Sequence, residues 1–334
     1  MARVAPVASR IPDWNERICR EAINHCFPEV RIRTLKAIHE GWDNHVVDVN
    51  NRLIFRFPRR KDVEKSVKRE VALLRLLKGA LPYPIPTPEY VWHGDSTVPT
   101  HFFGYPKLQG APLTNAVMDS SPASVASQVS GLINAIQSFP LADTVKSLFS
   151  GHSAQKWKDE YASLLSQVKR RVVGLLDPRT REKTLTLFDD FLDDEGNFSF
   201  HPVLVHRDLN TNILFDKERT EISGVIDWGD ASIGDPAFDF CGFLHSQGRG
   251  FVELILKDYR GFVDESFWCR MEFYSKVIPY HVILGAITTG RTCRIEGDEV
   301  VLGREPPVSV FKMFKSSNAF GVRGSPKSQG RRRV

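Results

Sequence analysis

The most informative part of this chain is Val203-Leu-Val-His-Arg-Asp-Leu-Asn-Thr-Asn-Ile-Leu-Phe-Asp216, together with Gly224-Val-Ile-Asp-Trp-Gly-Asp230. It contains three short apolar segments, which are typical of buried strands: 203–205, 213–215 and 225–226. Four polar residues stand at the ends of these strands or in the loop between them: His206, Asp208, Asn212 and Asp227. Because strand ends hold side chains rigidly beside a cleft, this pattern predicts a functional site.

The residue types at these positions indicate the chemistry. Two carboxylates and one amide oxygen are hard oxygen ligands, which suit Mg²⁺ better than zinc. One of the carboxylates could instead remain free as a base for a hydroxyl group. Asp and Asn are also common turn residues, so a single Asp-x-x-x-Asn would have a purely structural explanation. The combination of His-x-Asp, an Asn before an apolar triplet and an Asp after the next apolar pair favours a site.

The regions on either side of this stretch differ in character. On the N-terminal side, 46–57 has the pattern of two strands around an Asn-Asn turn, and 62–78 that of a helix capped by Asp62 and ended by Gly79. After Gln109, helical periodicity dominates in three places: 122–139, 153–173 and the region beyond 238. We therefore predict an α+β chain with a small strand-rich N-terminal part and a larger, mostly helical C-terminal part.

Composition excludes several classes of protein. The 334 residues are 42% hydrophobic and 25% charged, which is typical of a globular protein and excludes a collagen, a coiled coil and a small disulfide scaffold. The longest apolar stretch is interrupted too often to span a membrane, and no secretion signal is present at the N-terminus. The five cysteines are scattered without a Cys-x-x-Cys pair. These features predict a cytoplasmic protein without a membrane partner or a zinc site.

The net charge of +5 comes from one end of the chain. Residues 321–334 contain five basic residues and no acid, so the rest of the chain is close to neutral. We therefore expect no nucleic-acid partner for the body of the protein. The Gly, Ser, Pro and Arg content of this end is typical of disorder.

From about residue 41 to 240, the sequence resembles the aminoglycoside phosphotransferase/choline kinase-like kinases, a family of small-molecule kinases. The quoted stretch carries the strongest resemblance, together with its continuation to Asp239, and three shorter matches are Gly41-Trp-Asp-Asn44, Ile54-Phe-Arg-Phe-Pro58 and Gly104-Tyr-Pro-Lys-Leu-Gln-Gly110. The resemblance implies a two-lobed protein-kinase-like fold. Its expected parts are a nucleotide-binding lobe at 1–106, a catalytic and substrate-binding lobe at 107–318 and a disordered basic tail at 319–334.

The resemblance also implies roles for individual residues. Asp208 would face the acceptor hydroxyl as the base, while Asn212 and Asp227 would hold the metal ions that bridge the ATP phosphates. Three residues of the matching segments would lie at the nucleotide: Asn44, Lys107 and Leu108. Four residues are candidates for contact with the acceptor: Asp230, and by residue type alone Trp268, Tyr280 and His281. His206 would brace its loop rather than react. Independently of the resemblance, the turn signal Gly234-Asp-Pro-Ala predicts that Asp235 and Asp239 stabilise a loop and the start of a helix.

Strand and helix periodicity adds three residues to the nucleotide site. Alternation along the strand at 54–57 places Ile54 and Arg56 on one face, where Ile54 could cover the adenine while Arg56 reaches the phosphates. Glu70 lies on the apolar face of the helix at 62–78, and an inward carboxylate requires a cation, for which Arg56 is the best candidate. The alternative is a partly exposed Glu70 paired with a neighbouring lysine.

Four features depart from the family pattern. The family usually separates its catalytic Asp and metal-binding Asn by five positions, whereas Asp208 and Asn212 are separated by four, so Asn210 is a rival ligand. Arg56 stands where many relatives have lysine, and a guanidinium binds phosphate with a different geometry. No Gly-x-Gly-x-x-Gly loop exists, so residues 41–45 would cover the phosphates alone. Gln137 replaces a His that is common in the family.

These observations predict an ATP- and Mg²⁺-dependent phosphotransferase, acting as a monomer. It would move the γ-phosphate to a hydroxyl of a small molecule such as an aminoglycoside, an amino alcohol, a sugar or a natural-product intermediate. The alternative is a catalytically silent pseudokinase that binds nucleotide and serves as a scaffold. A protein kinase is a poor alternative, because the chain has neither the glycine-rich loop nor an Ala-Pro-Glu segment after Asp227.

Overall fold

A computed structural model describes residues 11–38 and 43–289, and the backbone of three short strands at 293–296, 299–302 and 308–309. Two of the predictions lie at least partly outside these residues. They are the phosphate-covering loop at 41–45, of which only the last three residues are described, and the basic tail at 319–334.

The N-terminal part is built on a five-stranded antiparallel sheet in the order β1-β2-β3-β5-β4. Its strands are β1 (Leu35–Ile38), β2 (Asn44–Val49), β3 (Leu53–Pro58), β4 (Tyr90–Trp92) and β5 (Phe102–Pro106). Asn50 and Asn51 join β2 to β3 with φ angles of 59° and 55°, the left-handed conformation that a tight hairpin turn requires. The hairpin predicted around this Asn pair is confirmed.

Two helices accompany the sheet. The first, α1 (Glu16–Cys26), begins at Asn15, whose side chain accepts a hydrogen bond from the Ile18 N–H. The second, α2 (Lys61–Leu77), buries the predicted apolar face of Val63, Val67, Val71 and Leu74. The prediction that Asp62 caps this helix is wrong. The cap position is Arg60. Asp62 lies in the first turn, where its negative charge interacts favourably with the helix dipole.

The C-terminal part is mostly helical. Its helices are α3 (Asn115–Ser120), α4 (Pro122–Gln137), α5 (Asp143–Lys146), α6 (Ala154–Arg171), α7 (Pro178–Asp193), α8 (Phe238–Gln247), α9 (Arg249–Lys257) and α10 (Phe267–Thr289). The predicted helices at 122–139 and 153–173 are confirmed as α4 and α6, whereas α7 was not predicted. No helix in the part of the chain that the structure describes is long and apolar enough to cross a membrane.

Short strands carry the decisive motif within the C-terminal part. They are β6 (Ala111–Pro112), β7 (Val203–Val205), β8 (Ile213–Asp216), β9 (Glu221–Val225) and β10 (Ser232–Gly234). Strand β8 pairs with β6 and β9, and β7 pairs with β10, all antiparallel. Three further strands form a separate small sheet: β11 (Cys293–Glu296), β12 (Glu299–Leu302) and β13 (Val308–Ser309). The predicted strands at 203–205 and 213–215 are confirmed, whereas the third strand lies at 221–225 and includes only Val225 of the predicted segment 225–226.

One continuous apolar core joins the two parts of the molecule. It runs from Ile54 and α2 of the small part to α10 of the large part, while a second cluster fills the space between α1 and the outer face of the sheet. The α+β architecture with a small strand-rich part and a larger helical part is therefore confirmed. The division at residues 106 and 107 stays a prediction.

A buried charge network stabilises the large part beneath the motif. The carboxylate of Asp235 accepts hydrogen bonds from Arg270 Nε at 2.6 Å, from the Tyr274 hydroxyl at 2.6 Å and from the Ala237 N–H at 3.0 Å. The Arg270 and Asp235 side chains are both fully buried. Arg270 also binds the carboxylate of Asp264 through two nitrogens, at 2.7 and 2.9 Å. These contacts agree with the prediction that Asp235 braces a loop.

Candidate active site

The predicted site residues surround one cavity of about 500 Å³ between the five-stranded sheet and the motif strands. All ten of them line it: Asn44, Ile54, Arg56, Glu70, Lys107, Leu108, Asp208, Asn212, Asp227 and Asp230. They come from β2, β3 and α2, from the segment after β5, and from the loops around β7–β10. The fold therefore brings together, in one cleft, residues that are up to 186 positions apart in the sequence.

Asp239 fixes the backbone of the loop after β7 through hydrogen bonds. Its carboxylate accepts hydrogen bonds from the N–H groups of His206 at 3.0 Å and Arg207 at 2.9 Å. The ring Nε2 of the buried His206 lies 3.0 Å from the Ile226 carbonyl oxygen, so this side chain connects the loop to the segment before Asp227. Both His206 and Asp239 thus act as the predicted braces. With its neighbours fixed in this way, the exposed side chain of Asp208 points to the cavity.

Asp208 is also held from its own loop. The Thr211 hydroxyl donates to one oxygen of its carboxylate at 2.9 Å. The Asn212 amide nitrogen donates to the other oxygen at 2.9 Å and to the Asp208 carbonyl at 2.7 Å. The spacing of four positions between Asp208 and Asn212 is therefore enough to form a closed, hydrogen-bonded loop. Since the Asn212 amide nitrogen is used in this loop, its side-chain oxygen is the group that could bind a cation.

The rival ligand Asn210 lies elsewhere. Its amide nitrogen donates to the Gly242 carbonyl at 3.2 Å and to the Ser246 hydroxyl at 3.4 Å, both on α8, and it does not line the cavity. Asn212, in contrast, lies close to Asp227, because its carbonyl oxygen accepts a hydrogen bond from the Ile226 N–H at 3.0 Å. The geometry therefore favours Asn212 over Asn210 as the partner of Asp227.

Arg56 joins two carboxylates across the cavity. One guanidinium nitrogen donates to Glu70 at 2.8 Å, and the other donates to Asp227 at 2.6 Å. The side chains of Arg56 and Glu70 are only 7% and 1% exposed, so the predicted ion pair is confirmed and the alternative of an exposed Glu70 is wrong. Glu70 also accepts a hydrogen bond from the Trp228 N–H at 3.2 Å. The contact between Arg56 and Asp227 was not predicted.

Burial and charge shift the pKa values of these acids in opposite directions. Burial raises the pKa of Glu70 to about 7, although the charge of Arg56 opposes this change. Burial also works against ionisation of Asp227, but the charge and hydrogen bond of Arg56 bring its pKa below the usual value. Partial loss of hydration in the cleft, followed by repulsion from Asp227, raises the pKa of Asp230. Arg56 thus keeps Asp227 in the anionic form that a cation requires.

Part of the cavity wall is apolar. It is formed by side chains from both parts of the molecule: Ile38, Val46, Ile54, Leu108, Leu214 and Ile226. Lys107 also lines the cavity, but its ammonium group lies on the β2–β3 hairpin, where it donates to Asp48 and Asn51, each at 2.7 Å. Asn44 is buried beside the cavity, and its side-chain oxygen has no hydrogen-bond partner among the described residues. Such a combination suits a flat aromatic base with polar groups at one end.

A second cavity of about 540 Å³ was not predicted from the sequence. We name it the α6 cavity, because α6 supplies much of its wall, with contributions from α2, α10 and the segments around β7 and β10. Within it, Arg207 pairs with Glu160 and stacks on Trp157, with 4.8 Å between its guanidinium carbon and the ring centroid. Arg207 stands directly before Asp208 in the motif, and this position is the one sequence signal that could have revealed the cavity.

The acceptor candidates chosen by residue type have different positions. His281 lines the α6 cavity, and Asp230 lines the first cavity. Tyr280 is wrong as a candidate, because it is fully buried and its hydroxyl lies 2.6 Å from that of Thr184. Trp268 packs against Arg249, with 4.2 Å between the ring centroid and the guanidinium carbon, and it lines neither cavity.

We expect Arg56 and Glu70 to act as one unit in nucleotide binding. Changing either residue to alanine leaves the other charge buried without its partner, so the effects on ATP affinity will not add. A double-mutant cycle measured by calorimetry should give an interaction free energy of about 0.5–3 kcal/mol. As a control, the exposed pair Arg17 and Glu21 on α1 should give none. Additive effects of Arg56→Ala and Glu70→Ala would contradict this prediction.

The chain is similar to several known phosphotransferases. Viomycin phosphotransferase of Streptomyces vinaceus is 26% identical over 226 residues, which cover 66% of this chain and 76% of the relative. Among solved structures, the GDP complex of wild-type aminoglycoside 2'-phosphotransferase-IIIa is 26% identical with a TM-score of 0.73, covering 83% of this chain and 93% of the other. Macrolide 2'-phosphotransferase type I, 21% identical with a TM-score of 0.66, covers 82% of this chain and 92% of its own and shares the fold.

These likenesses confirm the two-lobed protein-kinase-like fold. The sequence profile described as the phosphotransferase enzyme family matches residues 34–268, which span both lobes and every residue of the candidate site. The predicted class of enzyme, a kinase acting on small molecules, is confirmed by the same match and by the relatives. The chain belongs to the phosphotransferase enzyme family.

Proposed function

We propose that this enzyme transfers the γ-phosphate of ATP, bound together with Mg²⁺, to a hydroxyl group of a small molecule. The observation that carries the proposal is that Asp208, Asn212 and Asp227 line one cavity together with apolar side chains from both parts of the molecule. Phosphoryl transfer depends mainly on positioning and on neutralising charge, and these residue types supply both.

The donor set at the first cavity fits Mg²⁺. Asp227 offers a carboxylate and Asn212 an amide oxygen, which are the hard ligands that this ion takes in small number while phosphates and water complete its shell. In the described ranges, no three or more His, Cys, Asp or Glu side chains form a metal-binding cluster of another type. When bound, Mg²⁺ would neutralise charge on the phosphates and align the one that is transferred.

The other residues of the cavity have separate tasks in this proposal. Arg56 presents a positive fork next to Asp227, where it orients phosphate oxygens and holds that carboxylate ionised. Ile54 and Leu108 cover the faces of the base, and Asn44 contributes a polar group near the sugar or phosphates. Asp208 takes the proton of the acceptor hydroxyl, and the bonds from Thr211 and Asn212 fix the direction of its carboxylate.

Aminoglycosides, amino alcohols, sugars and natural-product intermediates are the candidate acceptors to be tested. One solved neighbour, 26% identical with a TM-score of 0.73, is a complex of its protein with GDP and kanamycin. Because that neighbour was solved with GDP, ATP and GTP are to be compared side by side in a nucleotide-consumption screen against hydroxyl compounds. A monomer in the cytoplasm, without a nucleic-acid or membrane partner, remains the prediction for its setting.

A catalytically silent pseudokinase is not favoured. That alternative depended on the short spacing between Asp208 and Asn212. The spacing leaves both side chains on the cavity, with Asp208 held by two donors rather than removed from the site. Failure of a broad acceptor panel to raise nucleotide consumption above that of the chain alone would favour the pseudokinase instead.

We expect ATP to bind at least about tenfold more tightly with Mg²⁺ than with a chelator, because ionised Asp227 would otherwise repel the phosphates. Calorimetry with and without Mg²⁺ measures this directly. Asp227→Asn should reduce the difference, whereas Asp119→Asn on the exposed surface of α3 should leave it unchanged. Equal ATP affinity in the two buffers would count against a metal-bound nucleotide.

A further inference from the structure

The α6 cavity contains more cationic than anionic side chains among the described residues. Its cations are Arg69, Lys156 and Arg207, and its acids are Asp159 and Glu160. Glu160 is occupied by Arg207. Loss of hydration in the cavity, followed by repulsion from Arg207, lowers the pKa of His281, so this ring is neutral at pH 7. Two cations therefore remain, Arg69 and Lys156, for which the described part of the chain provides no ion pair.

Arg69 is the more restricted of the two cations. One of its nitrogens donates to the Gly229 carbonyl at 2.7 Å, and its guanidinium carbon lies 5.7 Å from the centroid of the Phe149 ring. A guanidinium has five N–H donors, so this single bond leaves most of its donor capacity for a ligand. Burial and repulsion from Arg207 lower the pKa of Arg69, while Asp230 attracts it without forming an ion pair. An anion in the cavity would relieve this repulsion.

Residues of the α6 cavity are direct neighbours of residues that line the first cavity. Gly229, the partner of Arg69, and the neighbouring Asp230 both line the first cavity. Arg207 forms part of the α6 cavity and precedes Asp208 directly in the chain. Adjacent residues of the chain therefore line the two cavities, Arg207 the α6 cavity and Asp208 the first cavity.

We propose that the acceptor carries a single anionic group, a carboxylate or a phosphate, that binds Arg69 and Lys156 in the α6 cavity. This inference rests on the proposed function, since it names the chemical class of that reaction's acceptor. A molecule with several amines would place its charges beside these two cations, and only Asp159 among the acids of the cavity has no cationic partner. The cavity therefore accepts at most one amine alongside the anion.

The test uses three probes with one scaffold and different charges: glucuronate, glucose and glucosamine. Calorimetry with the full chain, Mg²⁺ and a non-hydrolysable ATP analogue should show glucuronate binding about 10- to 100-fold more tightly than glucose, the range expected for a charged hydrogen bond. Arg69→Gln should remove this preference, because the amide can still donate to Gly229 but has no charge. Arg75→Gln, an exposed change in the last turn of the same helix, should retain it.

Other outcomes overturn the proposal. Tighter binding of glucosamine or kanamycin than of glucuronate would do so, as would no binding of any anion. Inorganic phosphate that binds as tightly as glucuronate, and depends equally on Arg69, would indicate a simple phosphate site instead of an acceptor site. Phosphate transfer is measured separately. Transfer to kanamycin but not to glucuronate would leave the proposed function intact, whereas Arg69-dependent binding of glucuronate without transfer to any hydroxyl would contradict the proposed function alone.

Discussion

Asp208→Asn should lower the turnover number about 10²- to 10⁴-fold, the range that general-base assistance typically contributes. The substitution keeps the size of the side chain and allows the neighbouring Thr211 and Asn212 to stay near their positions, but it removes the negative charge that takes the hydroxyl proton. ATP affinity should change by less than about tenfold, because the oxygens of Asn212 and Asp227 remain for the cation. Steady-state kinetics and nucleotide calorimetry on the same preparation separate the two effects.

Two results would contradict this role of Asp208. Near-normal turnover would mean that Asp208 is a turn residue and that the base lies elsewhere. Complete loss of ATP binding would mean that the short loop uses Asp208 as a metal ligand. Asp119→Asn, the same chemical change at an exposed position, should alter neither quantity and controls for a general effect of lost charge.

Arg270→Met should lower the free energy of unfolding by about 3–5 kcal/mol. The methionine fills much of the same volume, but the fully buried carboxylate of Asp235 then has no cation and keeps only the Tyr274 hydroxyl and the Ala237 N–H. Typical proteins are stable by about 5–15 kcal/mol in total, so the loss is large. Urea unfolding followed by circular dichroism measures it.

A matched control for the buried pair is available on α1. Arg17 pairs with Glu21 at 2.8 Å, but both side chains are more than half exposed. Arg17→Met should therefore change the free energy of unfolding by about 1 kcal/mol or less. If the two substitutions destabilise the protein equally, burial of the Arg270 pair does not have the importance that its geometry indicates.

The strands and loops of the candidate site could be predicted because their signals are local. Apolar triplets alone indicated β7 and β8. The polar residues follow directly at the ends of these strands, which predicted that they lie beside a cleft. The pair of Arg56 and Glu70 was predictable for a similar reason. Periodicity placed each side chain on the inward face of its own element, and a buried carboxylate requires a cation.

Contacts that depend on three-dimensional packing could not be predicted in this way. Nothing in the sequence near Lys107 indicates that its ammonium group binds Asp48 on a neighbouring hairpin. Similarly, the pairing of Arg207 with Glu160 joins two segments 47 residues apart, and no periodicity relates them. The helix α7 had a usable local signal, since Asp177 caps it and Pro178 occupies its first turn. Threonines stand among the buried residues of this helix, so the apolar periodicity is hard to recognise in the sequence.

The left-handed conformation of Arg207, with φ at 73°, has a consequence for regioselectivity. A side chain larger than hydrogen makes this conformation costly by roughly 1–2 kcal/mol, which the bonds to Glu160 and the stacking on Trp157 and Phe238 offset. The side chain of Arg207 thereby attaches its loop to α6. One planar peptide bond, which is stiff, then joins Arg207 to Asp208. The distance between α6 and the Asp208 carboxylate is therefore fixed by the fold. For the acceptor that we propose to bind in the α6 cavity, this distance would determine which of its hydroxyl groups reaches the carboxylate.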